Sequence, residues 1–342
     1  MSRLFIATNG LSVWTSADRG ETLRRTTTEE GIYTGSRVWG MALHPNHREM
    51  LIGTELGLFR YTSETRRYTP VPSPMDGRQV TAIAYSPHDP DLIIAGCQPA
   101  ALFRSEDGGK SWQAIETGMH ASVALRFIGG DSTGGARAEV RPTTGDDPIK
   151  HWTRVCQIVF DPQDPDFVCA GVEIDDAWIS RDRGRTWTRS GAGLVIGDVH
   201  GMSISHHDGR VLFATTAGGL HVSRDDGASW QLQRIDSPWQ YTRSIVRRPD
   251  RTGTMYLTNG GGAPGWEGRL YRSRDFGATW EDCHLPDVES SVYFLAVNEA
   301  DPMLAYAATA LGQFYRSDDG GETWLKLPKR LGEVRAIAWM PD

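Results

Sequence analysis

Long apolar runs are missing from this 342-residue chain, and so are paired cysteines. No stretch approaches the roughly 18 consecutive apolar residues that a membrane-spanning helix needs. The start, Met1-Ser2-Arg3-Leu4-Phe5-Ile6-Ala7-Thr8, lacks the basic-then-apolar build of a secretion signal and runs straight into a strand pattern. The four cysteines, Cys97, Cys156, Cys169 and Cys283, stand far apart with no Cys-x-x-Cys among them. They read as reduced thiols rather than as a disulfide framework. A basic excess is missing too: 36 Lys and Arg against 43 Asp and Glu leave a net charge of −7. That balance argues against nucleic acid as the main partner. These absences predict a cytoplasmic protein that engages neither membrane nor nucleic acid.

What the chain has instead is a repeat. Ser105-Glu106-Asp107-Gly108-Gly109-Lys110-Ser111-Trp112 recurs as Ser180 to Trp187, Ser223 to Trp230, Ser273 to Trp280 and Ser317 to Trp324. A further copy, Ser16 to Leu23, ends on Leu where the others have Trp. The gap from Ser16 to Ser105 is twice the usual step, and a decayed copy fills it. There Gly57-Leu58-Phe59-Arg60-Tyr61 aligns with Ala101-Leu102-Phe103-Arg104-Ser105. The unit of 105–180 takes an insertion. Each unit carries the same four strand signals, as in Val80–Tyr85, Leu92–Gly96, Ala101–Arg104 and Ser111–Ile115. Four short strands in about 40–50 residues describe a β-propeller blade. In the octapeptide, Ser and Asp can bond turn amides, Gly accepts a reversed backbone and Trp supplies an apolar plate. Its role is structural.

The expectation is therefore an all-β, seven-bladed β-propeller forming a single domain over 1–342. Leu4–Ala7 reads as a second strand and Glu333–Pro341 as a first strand with no blade after it. The C-terminal strand should close the N-terminal blade and so remove an open sheet edge. On these motifs the chain resembles the Asp-box (BNR) repeat propellers, among them sialidases, family 74 xyloglucan hydrolases, sortilin-type receptors and photosystem II assembly factors. The resemblance covers nearly the whole chain and implies repeat architecture. Sialidase activity itself does not follow, because sialidases have six blades and an Arg-Ile-Pro motif that this chain lacks.

A site is expected at the axial mouth opposite the boxes, since concave mouths are the usual ligand positions. Aligned innermost strands carry a bulky apolar row, Met41, Ile83, Ile158, Met202, Ile245, Leu295 and Ile337. Two residues nearer the entrance the row becomes Trp39, Thr81, Cys156, His200, Arg243, Tyr293 and Arg335. The second-to-third loops add Asn9, Glu55, Gln98, Glu173, Thr216, Asn259 and Thr309. Residues 117–153, between blades three and four, read as an inserted loop or lid that brings His120, His151 and Trp152. Trp239 and Trp266 belong to the same side, where with Trp39 and Trp152 they would make an aromatic wall suited to a sugar, a planar ligand or a protein.

These residues point to an enzyme of hydrolase or lyase type acting on a small polar or anionic molecule. His200 would be the acid/base with Glu173 and Tyr293 beside it. Arg243 and Arg335 would hold the anion, unless Glu55, Glu173, Asp198 or Glu333 neutralise them. Trp39, Glu55, Gln98, Asn259, Cys156, His151, Trp152 and Trp239 would line the pocket. Cys156 reads either as a nucleophile or as a buried thiol. A divalent metal, if present, would sit on His200, His151, His120 and Glu173. The other reading is a non-catalytic assembly or interaction propeller that holds a protein, as the resemblance to photosystem II assembly factors implies. His221, in the register of Trp14, Phe103, Trp178, Tyr271 and Tyr315, should be a packed ring in place of an aromatic.

Overall fold

A computed structural model describes residues 2–130, 136–143 and 151–341. Among the described residues there are seven four-stranded sheets, one three-stranded sheet and a single 3-10 turn at Thr28–Glu30. The four-stranded sheets are the seven blades of an all-β propeller fold. Blade five shows the pattern: Val199–His206, Arg210–Thr216, Gly219–Ser223 and Gln231–Gln233 lie side by side in that order. Its two central strands are buried along almost their whole length, and the last strand is polar and outermost.

The chain divides into two compact units, one made of 1–72 with 243–342 and the other of 73–242. The first unit holds blades one, two, six and seven. Blade one is completed by the C-terminal strand Val334–Pro341, which runs antiparallel to Ser2–Thr8 with Leu4 opposite Trp339 and Ile6 opposite Ile337. Leu4, Ile6, Tyr306, Phe314, Val334 and Trp339 share one buried cluster there. The second unit holds blades three, four and five around Leu92, Ile94, Val155, Val168, Trp178 and Trp187. Phe167, Met202, Leu212 and Trp230 form a second cluster in the same unit.

The octapeptides are the turns between third and fourth strands. Ser105 Oγ donates to Asp107 Oδ1 at 2.8 Å and accepts the Gly109 N–H at 2.9 Å. Asp107 in turn accepts the Ser111 N–H and hydroxyl, at 2.9 and 2.6 Å. Gly109, at φ +85°, reverses the chain where a side chain would be strained. The copy that ends on Leu23 builds the same turn, with Ser16 Oγ 2.7 Å from both Asp18 Oδ1 and the Gly20 N–H. The decayed second copy still forms a hairpin, Gly57–Thr62 against Arg67–Val71.

The insertion departs from the expected loop. Ser122–Gly130 pairs with Ala136–Pro142 and with His151–Trp152 in a sheet of its own. The alternation of Val123, Leu125 and Phe127 with Ala124 and Arg126 is a strand pattern, which the glycine content of the segment obscures. The Gly-rich piece 131–135 and the piece 144–150 lie outside the described residues. His120 ties the base of the insertion to blade four: its backbone N–H and its Nδ1 meet the two oxygens of the buried Asp175, at 3.0 and 2.8 Å.

Candidate functional site

The row Trp39, Thr81, Cys156, His200, Tyr293 and Arg335 has a common structural cause. In each of these six innermost strands the pairing slips by one residue at this position. Val199 opposes Thr216 and Gly201 opposes Thr215, so His200 has no residue opposite it. The same slip skips Trp39, Thr81, Cys156, Tyr293 and Arg335. Each is the extra residue of a β-bulge. A bulge releases its residue from the alternation of the ladder and re-aims the side chain, and bulges concentrate beside active sites. Blade packing therefore places little demand on residue type here, which explains six different side chains in a repeat. A sequence signal accompanies the bulge: valine precedes it every time, at Val38, Val80, Val155, Val199, Val292 and Val334, all at most 1 % exposed.

His200 gathers the densest chemistry. Its side chain is 1 % exposed. Nδ1 lies 2.8 Å from the Thr242 carbonyl oxygen, which can only accept, so Nδ1 carries the proton. Nε2 lies 3.2 Å from Asp198 Oδ2. The Tyr241 ring packs against the imidazole with centroids 5.2 Å apart. Glu173, at the end of Val168–Glu173, completes the group: one ligand atom each from Glu173, Asp198 and His200 lie within 4.8 Å of one another. Arg154 holds Glu173 Oε2 at 2.7 Å. Asp198 sits two residues before His200. It lies in the entering loop, outside the aligned strand positions, where the sequence offers it only as a partner for arginines.

Other expected site residues have different partners. His120 is engaged by Asp175 and does not join this cluster. His151 is half-buried in the insertion sheet opposite Val123, and Trp152 beside it is exposed. Glu55 accepts the Arg37 backbone N–H at 2.9 Å, which makes it a loop-closing carboxylate. Arg335 pairs with Glu333 and lies over the Trp39 ring at 4.1 Å, so its charge is answered within its own unit. Arg243 lies over the Tyr293 ring at 5.0 Å. Thr81 donates to the Val155 carbonyl at 2.7 Å and joins neighbouring blades. Gln98 accepts from Gln79 Nε2 at 2.7 Å. Asn259 is buried, whereas Trp239 and Cys156 are half-buried. His221 is fully buried, as its register implies, with Nε2 accepting the Val195 N–H.

Comparison with known proteins adds a name for the repeat. The BNR-Asp box repeat model matches residues 270–283, a third strand and its octapeptide turn in blade six. With that turn built in six places, the assignment is plain. The chain is an Asp-box repeat β-propeller. This propeller is 24 % identical over 298 residues to a xyloglucanase of Paenibacillus sp, covering 72 % of the chain but 26 % of that protein. It is 23 % identical over 295 residues to an oligoxyloglucan-reducing end-specific xyloglucanase of Emericella nidulans, covering 78 % of the chain and 34 % of that protein. The propeller thus spans about a quarter to a third of these curated relatives. Among solved structures, an ancestral GH74 enzyme covers 98 % of the propeller at TM-score 0.54 and 17 % identity, with 54 % of that chain matched. YCF48 bound to D1 peptide covers 86 % at TM-score 0.53 and 12 % identity, with 81 % of that chain matched. At such identities these structures share the fold.

Proposed function

We propose that this propeller is an enzyme of hydrolase type that uses His200 as its acid/base on a small polar or anionic molecule. The observation that carries the reading is the mounting of His200. One ring nitrogen is fixed on the Thr242 carbonyl while the other faces Asp198, with Glu173 alongside and Tyr241 against the ring. A buried imidazole oriented at one nitrogen and answered by a carboxylate at the other is equipped to take a proton and return it. Asp198 steadies the ring when it carries the extra proton, and Arg154 positions Glu173 as a second carboxylate beside it. The xyloglucanase relatives give independent support for hydrolysis and name the first substrates to try.

The test is turnover of a panel comprising xyloglucan oligosaccharides, nitrophenyl glycosides, nitrophenyl esters and nitrophenyl phosphate, with wild type and His200→Asn. Removal of a general acid/base costs about 10²–10⁴ in rate, so H200N is expected to lose turnover by that factor on whichever member reacts. Equal rates in the two proteins, or no turnover of any member, would remove the reading. The interaction propeller would then take its place, with the YCF48 likeness as its starting point.

A further inference from the structure

We infer that Glu173, Asp198 and His200 form a divalent-cation site. The inference concerns binding at the same three side chains and does not depend on turnover: an ion on Nε2 takes the lone pair that proton transfer would use, so cation binding and acid/base work are alternative states of the site. Two ligand atoms each about 2.1 Å from one ion, at angles between octahedral and tetrahedral, stand roughly 3.0–3.4 Å apart. His200 Nε2 and Asp198 Oδ2 are 3.2 Å apart. All three ligand atoms fall within 4.8 Å of one another, a spread that small side-chain adjustments close onto a single ion.

The tautomer supplies the second reason. The Thr242 carbonyl claims the proton of Nδ1. A neutral ring then turns the lone pair of Nε2 toward a carboxylate oxygen, and both are electron-rich. That arrangement is repulsive unless a cation stands between them or a second proton is taken up. Metal-ligating histidines commonly donate their other N–H to a backbone carbonyl, which fixes the ring and makes the ligating nitrogen more basic. Arg154 plays the corresponding part for Glu173 by holding one carboxylate oxygen at 2.7 Å. A side chain that is 1 % exposed, set beside two half-buried carboxylates, is not a surface cluster of acids. Imidazole with two carboxylates is a nitrogen–oxygen donor set, suited to Mn²⁺ or Zn²⁺ and not to thiophilic Cu⁺.

The experiment is a Mn²⁺ titration of the chelator-stripped 342-residue chain, with unbound ion counted by its electron paramagnetic resonance signal. Manganese is chosen because it ignores the cysteines. Wild type should bind one tight ion per chain. H200Q and D198N should each weaken binding at least tenfold, and H120Q, whose ring is engaged by Asp175, should bind as wild type does. Near-UV circular dichroism checks that the variants fold, and Glu173→Gln is the substitute should H200Q fail to. No bound ion in wild type, or unchanged binding in folded H200Q and D198N, overturns the site and leaves an imidazolium–carboxylate pair in its place. One tight Mn²⁺ with no turnover of any panel member would remove the enzyme and keep the cation site. Turnover that persists in EDTA, with no Mn²⁺ bound, would do the reverse.

Discussion

Residues repeat in this chain where they hold a turn or fill a core, and they differ where the ladder lets go of them. Trp230 belongs to the first kind. It is 3 % exposed, and its Nε1 donates to Ser190 Oγ, on the outermost strand of the neighbouring blade, at 3.0 Å. Trp230→Ala leaves a cavity and removes the Nε1 bonds to Ser190, whose hydroxyl keeps its own bond to the Gly227 carbonyl, and should cost about 3–5 kcal/mol, measured by urea unfolding; a loss under about 1 kcal/mol would mean that the box tryptophan does not couple the blades. His200 belongs to the second kind. Its candidacy was visible because an aligned row lost its uniformity. Asp198 was not visible in that way, since its nearness to His200 Nε2 depends on the path of the entering loop and not on strand register. Arg335 is the other case: of the two readings its aligned position allows, an anion clamp or a pair with a nearby carboxylate, the chain sets Glu333 and the Trp39 ring against it.

Elements follow from periodicity, and their partners follow from closure. The final strand, Val334–Pro341, has the pattern of an innermost strand, and it supplies the fourth strand of the first blade. Its buried Val334, Ile337, Trp339 and Met340 each contribute roughly 1.5–3 kcal/mol. Their sum is comparable to the whole stability of an ordinary domain. A chain ended at Glu333 should therefore aggregate or lose its cooperative transition, because Ser2–Thr8 becomes an open, apolar edge. A monodisperse truncated protein that melts as sharply as the parent on gel filtration and calorimetry would contradict this. The bulges are the element-scale feature that strand-by-strand reading does not register. Six valine-led slips re-aim six side chains, and only paired strands reveal which residue has been skipped. The insertion makes the same point. Its strand alternation is present in the sequence, but the surrounding glycines resemble a loop until the strands pair.

For the whole molecule, acid stability sums these local devices in two windows of pH. Burial lowers the His221 imidazole from 6.5 to about 4. The unfolded chain then binds the extra proton first, so stability is present above pH 6.5 and declines as pH falls toward 4. Below that the boxes act. Hydrogen bonds from Thr22 and Ser229 lower Asp18 and Asp225 to about 2. In Asp182, Asp275 and Asp319 burial works the other way, and hydrogen bonds from the neighbouring Thr and Ser outweigh it. Groups lowered in the folded state stabilise above their unfolded value near 4 and lose that contribution as pH falls toward 2. The urea midpoint should fall across both windows. His221→Phe, which places an aromatic where the other blades have one, should flatten the upper window and leave the lower one intact; an unchanged slope between pH 6.5 and 4 would refute the assignment to His221. The sequence by itself determined the blade count, the turn chemistry and the strand that closes blade one, because short-range periodicity and turn bonding are local, the first written out seven times and the second six. The tertiary structure alone decided which residue each bulge releases and which carboxylate meets His200, because ladder register and loop path arise only when separate strands pair.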